Sequence, residues 1–250
     1  GSSGAIILSG GVSRSTEGGS ILIQSGTSQV ASGGKIQVVS GSGVVSGSVD
    51  ISTMVTTQES GNILLSTGLA EISSGSTKII SGESKDGKAG DVVLQAGDGV
   101  QAGNVIVASG SSLQQGFTGG SVAMSTGSSE TAASGEFTIS SGYGANSGSI
   151  QMSTGTGSLT SGSIHASTGD SLASSGSLIL SAGNAGTVSG SIVLAAGSSQ
   201  SMTGGSVSLV SGSSSLASGS IVFEAGKSEQ KSGSVRIGTG DASMPSAGQG

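Results

Sequence analysis

A nine-residue pattern of alternating apolar and polar positions recurs along this chain. The first copy is SGAIILSGG at 3–11 and the last is SGSVRIGTG at 232–240, and the seventeen copies have a mean spacing near 14.3 residues. Column four of this nonapeptide is Ile, Val, Leu or Phe in every copy but one, where it is Thr77, and column six is always apolar. Column two is always Gly and column eight always small, whereas columns three, five and seven vary. Apolar residues two positions apart predict a β-strand in each copy.

We expect these strands to stack as coils, because a unit this short buries too little apolar surface alone. The predicted fold class is all-β: a parallel β-solenoid of about 17 coils, with about 14 residues per coil and a thin core between two sheets. Columns four and six should point inward and form a ladder from coil to coil. The predicted core ladder consists of Ile21, Ile23, Ile36, Val38, Ile63, Leu65, Ile192, Leu194, Val207, Leu209, Ile221 and Phe223.

The segments between nonapeptides, called linkers below, have a weaker pattern. One apolar residue commonly lies mid-linker, as at Val30, Leu159, Met202 and Leu216, and predicts a second, shorter strand that faces the first. The longer segment at 111–120 predicts an enlarged turn. Residues 1–250 are expected to form one repeat array. Because the sequence opens inside a repeat and shows no cap, we expect a stretch of a longer array, or copies stacked end to end.

Two other interpretations fit parts of the pattern. The chain has 49 Gly and 61 Ser in 250 residues, which is typical of flexible linkers. Its 33% hydrophobic content and net charge of only −6 argue against disorder. Antiparallel hairpins would need a regular set of two-residue turns, and only Asp86-Gly87 and Asp98-Gly99 supply the strongest turn signal.

Composition and candidate chemistry exclude several functional classes. The chain has no Cys for disulfides or thiolate metal sites, and its mild acidity disfavours nucleic-acid binding. No stretch approaches the roughly 18 apolar residues of a membrane-spanning helix. The single histidine, His165, lies in column five near Ser163 and Ser167, but no carboxylate is close in its column to complete a Ser-His-Asp arrangement. We therefore predict neither an enzyme nor a bound cofactor.

The densest group of carboxylates lies at 83–98. Asp86 and Asp98 fall in linkers of successive repeats, where stacked coils would bring them to one edge, and they are the candidates for a calcium site. Lys85 and Lys88 lie among the carboxylates, and the calcium-binding nonapeptide of β-roll proteins is absent. A solvated charged edge is the other interpretation of this group.

Column five should face solvent, yet it carries apolar residues in neighbouring copies. These are candidate contact patches: Ile7, Leu22, Val93, Ile106, Ile179 and Val193. They favour a structural extracellular protein that forms a rod or filament segment of a matrix, appendage or adhesin stalk, through end-to-end or lateral self-association. The alternative is an ice-binding or glycan-binding module, in which a flat Ser-rich β-sheet face binds a glycan or other surface ligand.

The Ser/Gly-rich repeat pattern of GGSVSLVSG and SGSIVFEAG, at 204–212 and 218–226, extends over essentially the whole chain. It resembles the Ser/Gly-rich repeat regions of secreted or cell-surface proteins of diatoms and related algae. The repeat length is also similar to that of the β-roll heads of trimeric bacterial adhesins, although their Asn-Ser-Val-Ala-Ile-Gly signature is missing. Both resemblances imply an extracellular or cell-surface location and a structural or adhesive role. Neither supplies functional residues.

Overall fold

The computed structural model describes residues 4–240, and this range contains neither a helix nor a strand. Bends occur only in the linkers, and one turn lies at 115–116 in the longest of them. The nonapeptides run between these bends without regular secondary structure. The prediction of an all-β parallel solenoid is therefore wrong for the described part of the chain.

The backbone hydrogen bonds explain why no solenoid forms. Coil-on-coil stacking would join residues one repeat apart, which is 13 to 17 residues in this sequence. The backbone bonds of residues 4–240 instead join two glycines that are 6 to 10 residues apart, on either side of one linker. Gly34 N donates to Gly26 O at 2.8 Å, and Gly205 N donates to Gly197 O at 2.9 Å. Ten of the sixteen linkers are thus closed locally, and closing a short loop loses less chain entropy than pairing distant segments.

No core forms within the described range. No residue from 4 to 240 is buried, and the residues of the predicted core ladder are 46–73% exposed. The accessible surface is 25746 Å², whereas a compact protein of 23.3 kDa would expose about 9,700 Å². The physical reason lies in the composition of the repeat. Each unit offers about two large apolar side chains against several glycines, which lose the most conformational entropy on ordering.

The alternation along each nonapeptide is nevertheless present. Three side-chain hydrogen bonds join columns three and five of the same copy. They pair Lys35 with Gln37 at 2.9 Å, Ser48 with Asp50 at 3.2 Å, and Glu136 with Thr138 at 3.0 Å. Side chains two positions apart meet only where the backbone is extended. Columns three and five therefore share one face of the segment, and columns four and six take the other.

A close approach explains two of the constant columns. A Cβ added to the column-two glycine would meet the column-eight side chain of the preceding copy in every copy from the third onward, at 3.2–4.0 Å. At Gly34 the neighbour is Ser25 Cβ at 3.2 Å, and at Gly103 it is Ala96 Cβ at 3.3 Å. In six of these copies the distance is 3.2–3.3 Å, which leaves little room for a Cβ, whereas at 3.4–4.0 Å in the others a Cβ would make ordinary contact with the small column-eight side chain.

The column-nine glycines have a different environment. A Cβ added to any of those within the described range would meet nothing within 4 Å, and none of them has a positive φ. The one copy without Gly in this column carries Met54, whose side chain is exposed. Neither space nor backbone conformation therefore requires the column-nine glycines.

Linker length determines how the loop is closed. The three four-residue linkers have Gly as their second residue, and the five six-residue linkers have Ser there. In all five, the Ser Oγ accepts a hydrogen bond from the amide three residues later at 2.9–3.1 Å. In the short linkers, a Cβ on that Gly would lie 3.0–3.2 Å from the carbonyl oxygen two residues later. A hydroxyl thus supports the longer turn, and the shorter turn leaves no room for one.

Column eight modulates the closure in the five-residue linkers. Four of them follow a Thr in column eight, and no Gly–Gly hydrogen bond closes these four. The Thr Cγ2 lies against the column-two glycine instead, as Thr154 does at Gly162 with 3.4 Å to the added Cβ. The three that follow Ala or Ser are closed by the hydrogen bond. Thr in column eight therefore goes with an unclosed five-residue linker.

The chain divides into two units, Gly1–Met124 and Ser125–Gly250. Within the described range, each unit consists of nonapeptides that are joined by the linkers just described. The single array over 1–250 stays a prediction.

Candidate functional site

The surface formed by columns four and six is the most regular feature of the molecule, and is called the apolar face below. In the copy at 189–197, Ile192 is 53% exposed, Val193 is 79% exposed and Leu194 is 65% exposed. The same order holds at 18–26 and at 218–226, where the column-five residue is again the most exposed of the three. The side chains of the apolar face are thus partly shielded by their own chain, but more than half of their surface remains exposed to solvent in most copies.

The candidate contact patches of column five are 77–84% exposed. Stacked coils would place patch residues such as Val93 and Ile106 side by side. In the described residues no backbone ladder aligns one nonapeptide with the next, so the pairing lacks the support of a sheet. The patches stay candidates as single exposed apolar side chains, which are common on protein surfaces.

The mid-linker apolar residues do not form a second strand. Val30, Leu159, Met202 and Leu216 are among the most exposed side chains described, at 86–97%. All four lie in the linker bends, and at Val30, Met202 and Leu216 the backbone amide is hydrogen-bonded to a Ser hydroxyl instead of to another strand. Leu216 N, for example, donates to Ser214 Oγ at 3.2 Å. Local side-chain bonds of this kind compete with sheet formation.

The enlarged turn predicted near 111–120 is a loop closed in the same way as the others. Gly120 N donates to Gly110 O at 2.9 Å, and Ser109 Oγ donates to Gly120 O at 3.0 Å. Gly116 takes a φ of 84°, which favours glycine at the tip. The loop borders an open groove of about 590 Å³, with Leu113 and Phe117 in its lining. The lining also contains the polar side chains of Ser111, Ser112, Gln114 and Thr118, and it contains no charged side chain.

His165 has no catalytic surroundings in the described range. It is exposed, and none of the side-chain hydrogen bonds or ion pairs within residues 4–240 involves it. Ser163 and Ser167 are likewise exposed. Nothing there holds a base against a nucleophile and orients it with an acid.

The carboxylates at 83–98 do not converge on one point. Between residues 4 and 240, no group of three or more His, Asp or Glu side chains could hold a metal ion. Asp86 and Asp98 therefore belong to no carboxylate cluster of that size, and the calcium site stays a prediction. Asp91 pairs with Lys88 at 2.8 Å in an exposed ion pair. Such pairs contribute little to stability.

No protein-family model, no curated protein and no solved structure matches the chain. The resemblances to algal Ser/Gly-rich repeats and to adhesin heads stay expectations. In the part of the chain that the structure describes, no helix is long and apolar enough to cross a bilayer.

Two features of the linkers escaped the sequence analysis. One is the contact between column two and column eight, and the other is the Ser or Gly at the second linker residue. Both had a signal in the sequence, because linker length and residue type vary together there. The signal is visible only when the linkers are sorted by length.

Proposed function

We propose that this chain is a segment of an extracellular structural protein that works by self-association, in a filament, matrix or adhesin stalk. The observation that carries the proposal is the open apolar face, repeated in nearly all of the seventeen copies. An exposed apolar surface of this extent on a natural protein is typical of an interaction surface. The low charge of the chain, with 9% charged residues, leaves little electrostatic repulsion to oppose association.

Two further points support this proposal over a binding module. The ice-binding and glycan-binding alternative requires a flat β-sheet face, and residues 4–240 contain no strand. Two grooves in this range, one lined by 56–59 and the other by residues of 110–120, are wide open to solvent and do not enclose a ligand. The extracellular or cell-surface location is part of the proposal and is supported by the resemblance to secreted Ser/Gly-rich repeats. Surface labelling of intact source cells with an antibody to the repeat tests the location separately.

Self-association is tested directly on the purified chain. Sedimentation velocity and light scattering over about a hundredfold range of concentration should show a mass that rises with concentration. Thermal hysteresis should be absent in the same samples. A monomer of constant mass over the whole range would contradict the proposal, and thermal hysteresis would favour the ice-binding alternative.

A further inference from the structure

The apolar face is distinguished from the rest of the chain by where the charges lie. Only seven of the 22 charged residues fall within nonapeptides, and all seven occupy columns three, five or seven. These seven are Lys35, Asp50, Lys78, Asp91, Glu136, Glu224 and Arg236. No charge occurs in columns four or six of any copy. The sequence therefore keeps one side of every nonapeptide free of charge, although the folded chain does not bury that side.

The backbone of the nonapeptides is also available for pairing. In the described range, backbone–backbone hydrogen bonds involve only the glycines that close the linkers. Columns three to seven make no such bond, so their N–H and C=O groups remain open to another chain. An extended segment with unpaired backbone groups and an apolar side is suited to pair with a second extended segment.

We infer that the apolar face is the surface through which one copy of this chain binds a second copy, with nonapeptide against nonapeptide. This inference rests on the proposed function. The partner must present apolar side chains with the same unequal spacing of 13 to 17 residues, and the same sequence does so when two copies align.

The exposed apolar area of each nonapeptide determines how many nonapeptides must pair to form a stable interface. A large aliphatic side chain carries on the order of 100 Å² of apolar surface, and about half of it is exposed in column four. Two columns then offer about 100 Å² in each nonapeptide by the same estimate. A stable interface buries about 800 Å² on each partner, so about eight nonapeptides must pair at once. One pair of nonapeptides buries too little surface to keep two chains bound. Association is therefore cooperative along the chain.

Three variants of the full chain, each with three aspartates, test the inference. The first changes the apolar face at three column-four residues: Ile192→Asp, Val207→Asp and Ile221→Asp. The second changes column five: Ile179→Asp, Val193→Asp and Val222→Asp. The third changes exposed linker residues and is matched in charge: Leu172→Asp, Met202→Asp and Leu216→Asp. Because none of these positions is buried, loss of a folded core does not complicate the comparison.

The readout is the protein concentration at which light scattering first rises. We expect the apolar-face variant to raise this concentration by at least about tenfold, since paired faces would have to bury unpaired carboxylates. The linker variant should stay within about twofold of the unsubstituted chain, and the column-five variant should lie between the two. The inference is wrong if the apolar-face variant begins to scatter at the same concentration as the linker variant, or if the column-five variant raises that concentration more than the apolar-face variant does. Self-association itself would still stand in either case. An unsubstituted chain that never associates would refute the proposed function itself.

Discussion

The closure of the linkers gives a sharp test of the structure, through one glycine pair. Gly34 and Gly26 flank the linker at 27–32 and share the hydrogen bond from Gly34 N to Gly26 O at 2.8 Å. A Cβ at position 34 would lie 3.2 Å from Ser25 Cβ and 3.3 Å from Gly26 N. A Cβ at position 26 would meet nothing within 4 Å. Gly34→Ala should therefore open this loop, and Gly26→Ala should leave it closed.

The size of the expected change in the loop-opening equilibrium follows from the hydrogen bonds that Gly34→Ala weakens. The close Cβ must push the two glycines apart by a few tenths of an ångström, which weakens their hydrogen bond. It also strains the bond from Ser25 Oγ to Gly34 O, now 2.9 Å. One such bond contributes about 1 kcal/mol, which corresponds to about a fivefold change in an opening equilibrium. Both substitutions replace Gly by Ala, so their effect on the entropy of the open chain is similar and cancels in the comparison.

Amide hydrogen exchange measured by NMR reports this change at position 34. Rates are divided by the intrinsic rate for each sequence, so that only loop opening remains. We expect exchange about fivefold faster for Gly34→Ala and unchanged exchange at the same amide for Gly26→Ala. Equal rates in the two variants, or faster exchange only in Gly26→Ala, would show that the tight approach at column two does not determine closure.

Three other predictions concern single side chains. Ala182→Thr should abolish the 3.4 Å hydrogen bond from Gly190 N to Gly183 O across the linker at 184–188, because Thr in column eight goes with an unclosed five-residue linker. Faster exchange of the amide at position 190 would support this, and an unchanged rate would disprove the effect of Thr. Ser199→Ala should speed exchange of the Met202 amide by about fivefold, through loss of its 3.0 Å bond to the hydroxyl, whereas Ser198→Ala should not. His165→Ala should leave the onset of light scattering unchanged, because the residue is exposed on the column-five side; a shifted onset would assign it a contact.

The sequence predicts the two faces of each nonapeptide but not what covers them. Alternation at columns four and six is a local property, and the hydrogen bond between Lys35 and Gln37 confirms the extended segment that it implies. Stacking is a non-local property, which depends on whether two apolar side chains per repeat outweigh the entropy of ordering a Gly-rich segment. The apolar mid-linker residues Val30 and Leu216 were misinterpreted for a related reason. Their pattern matches a short strand, but Ser hydroxyls bond the adjacent amides and bend the chain instead.

The contact patches and the calcium candidates depended on the stacking that does not occur. Asp86 and Asp98 would share an edge only if successive linkers were superposed. The backbone hydrogen bonds of residues 4–240 form no ladder between successive repeats, so no ladder brings Asp86 and Asp98 together. The sequence shows that column two is always Gly, but not what this glycine contacts. Its contact with the small column-eight side chain of the preceding copy requires knowledge of where the chain returns.

The open column-nine positions make the chain a ready carrier for attached groups. Met54 already occupies such a position, and the sites of the column-nine glycines have equal free space. Because the protein contains no cysteine, Gly26→Cys or Gly197→Cys would introduce the sole thiol of the molecule. A dye, a spin label or a gold particle could then be fixed at any chosen repeat without disturbing the neighbouring loop. Pairs of such labels would measure, repeat by repeat, how one chain is aligned with the next in an assembled sample.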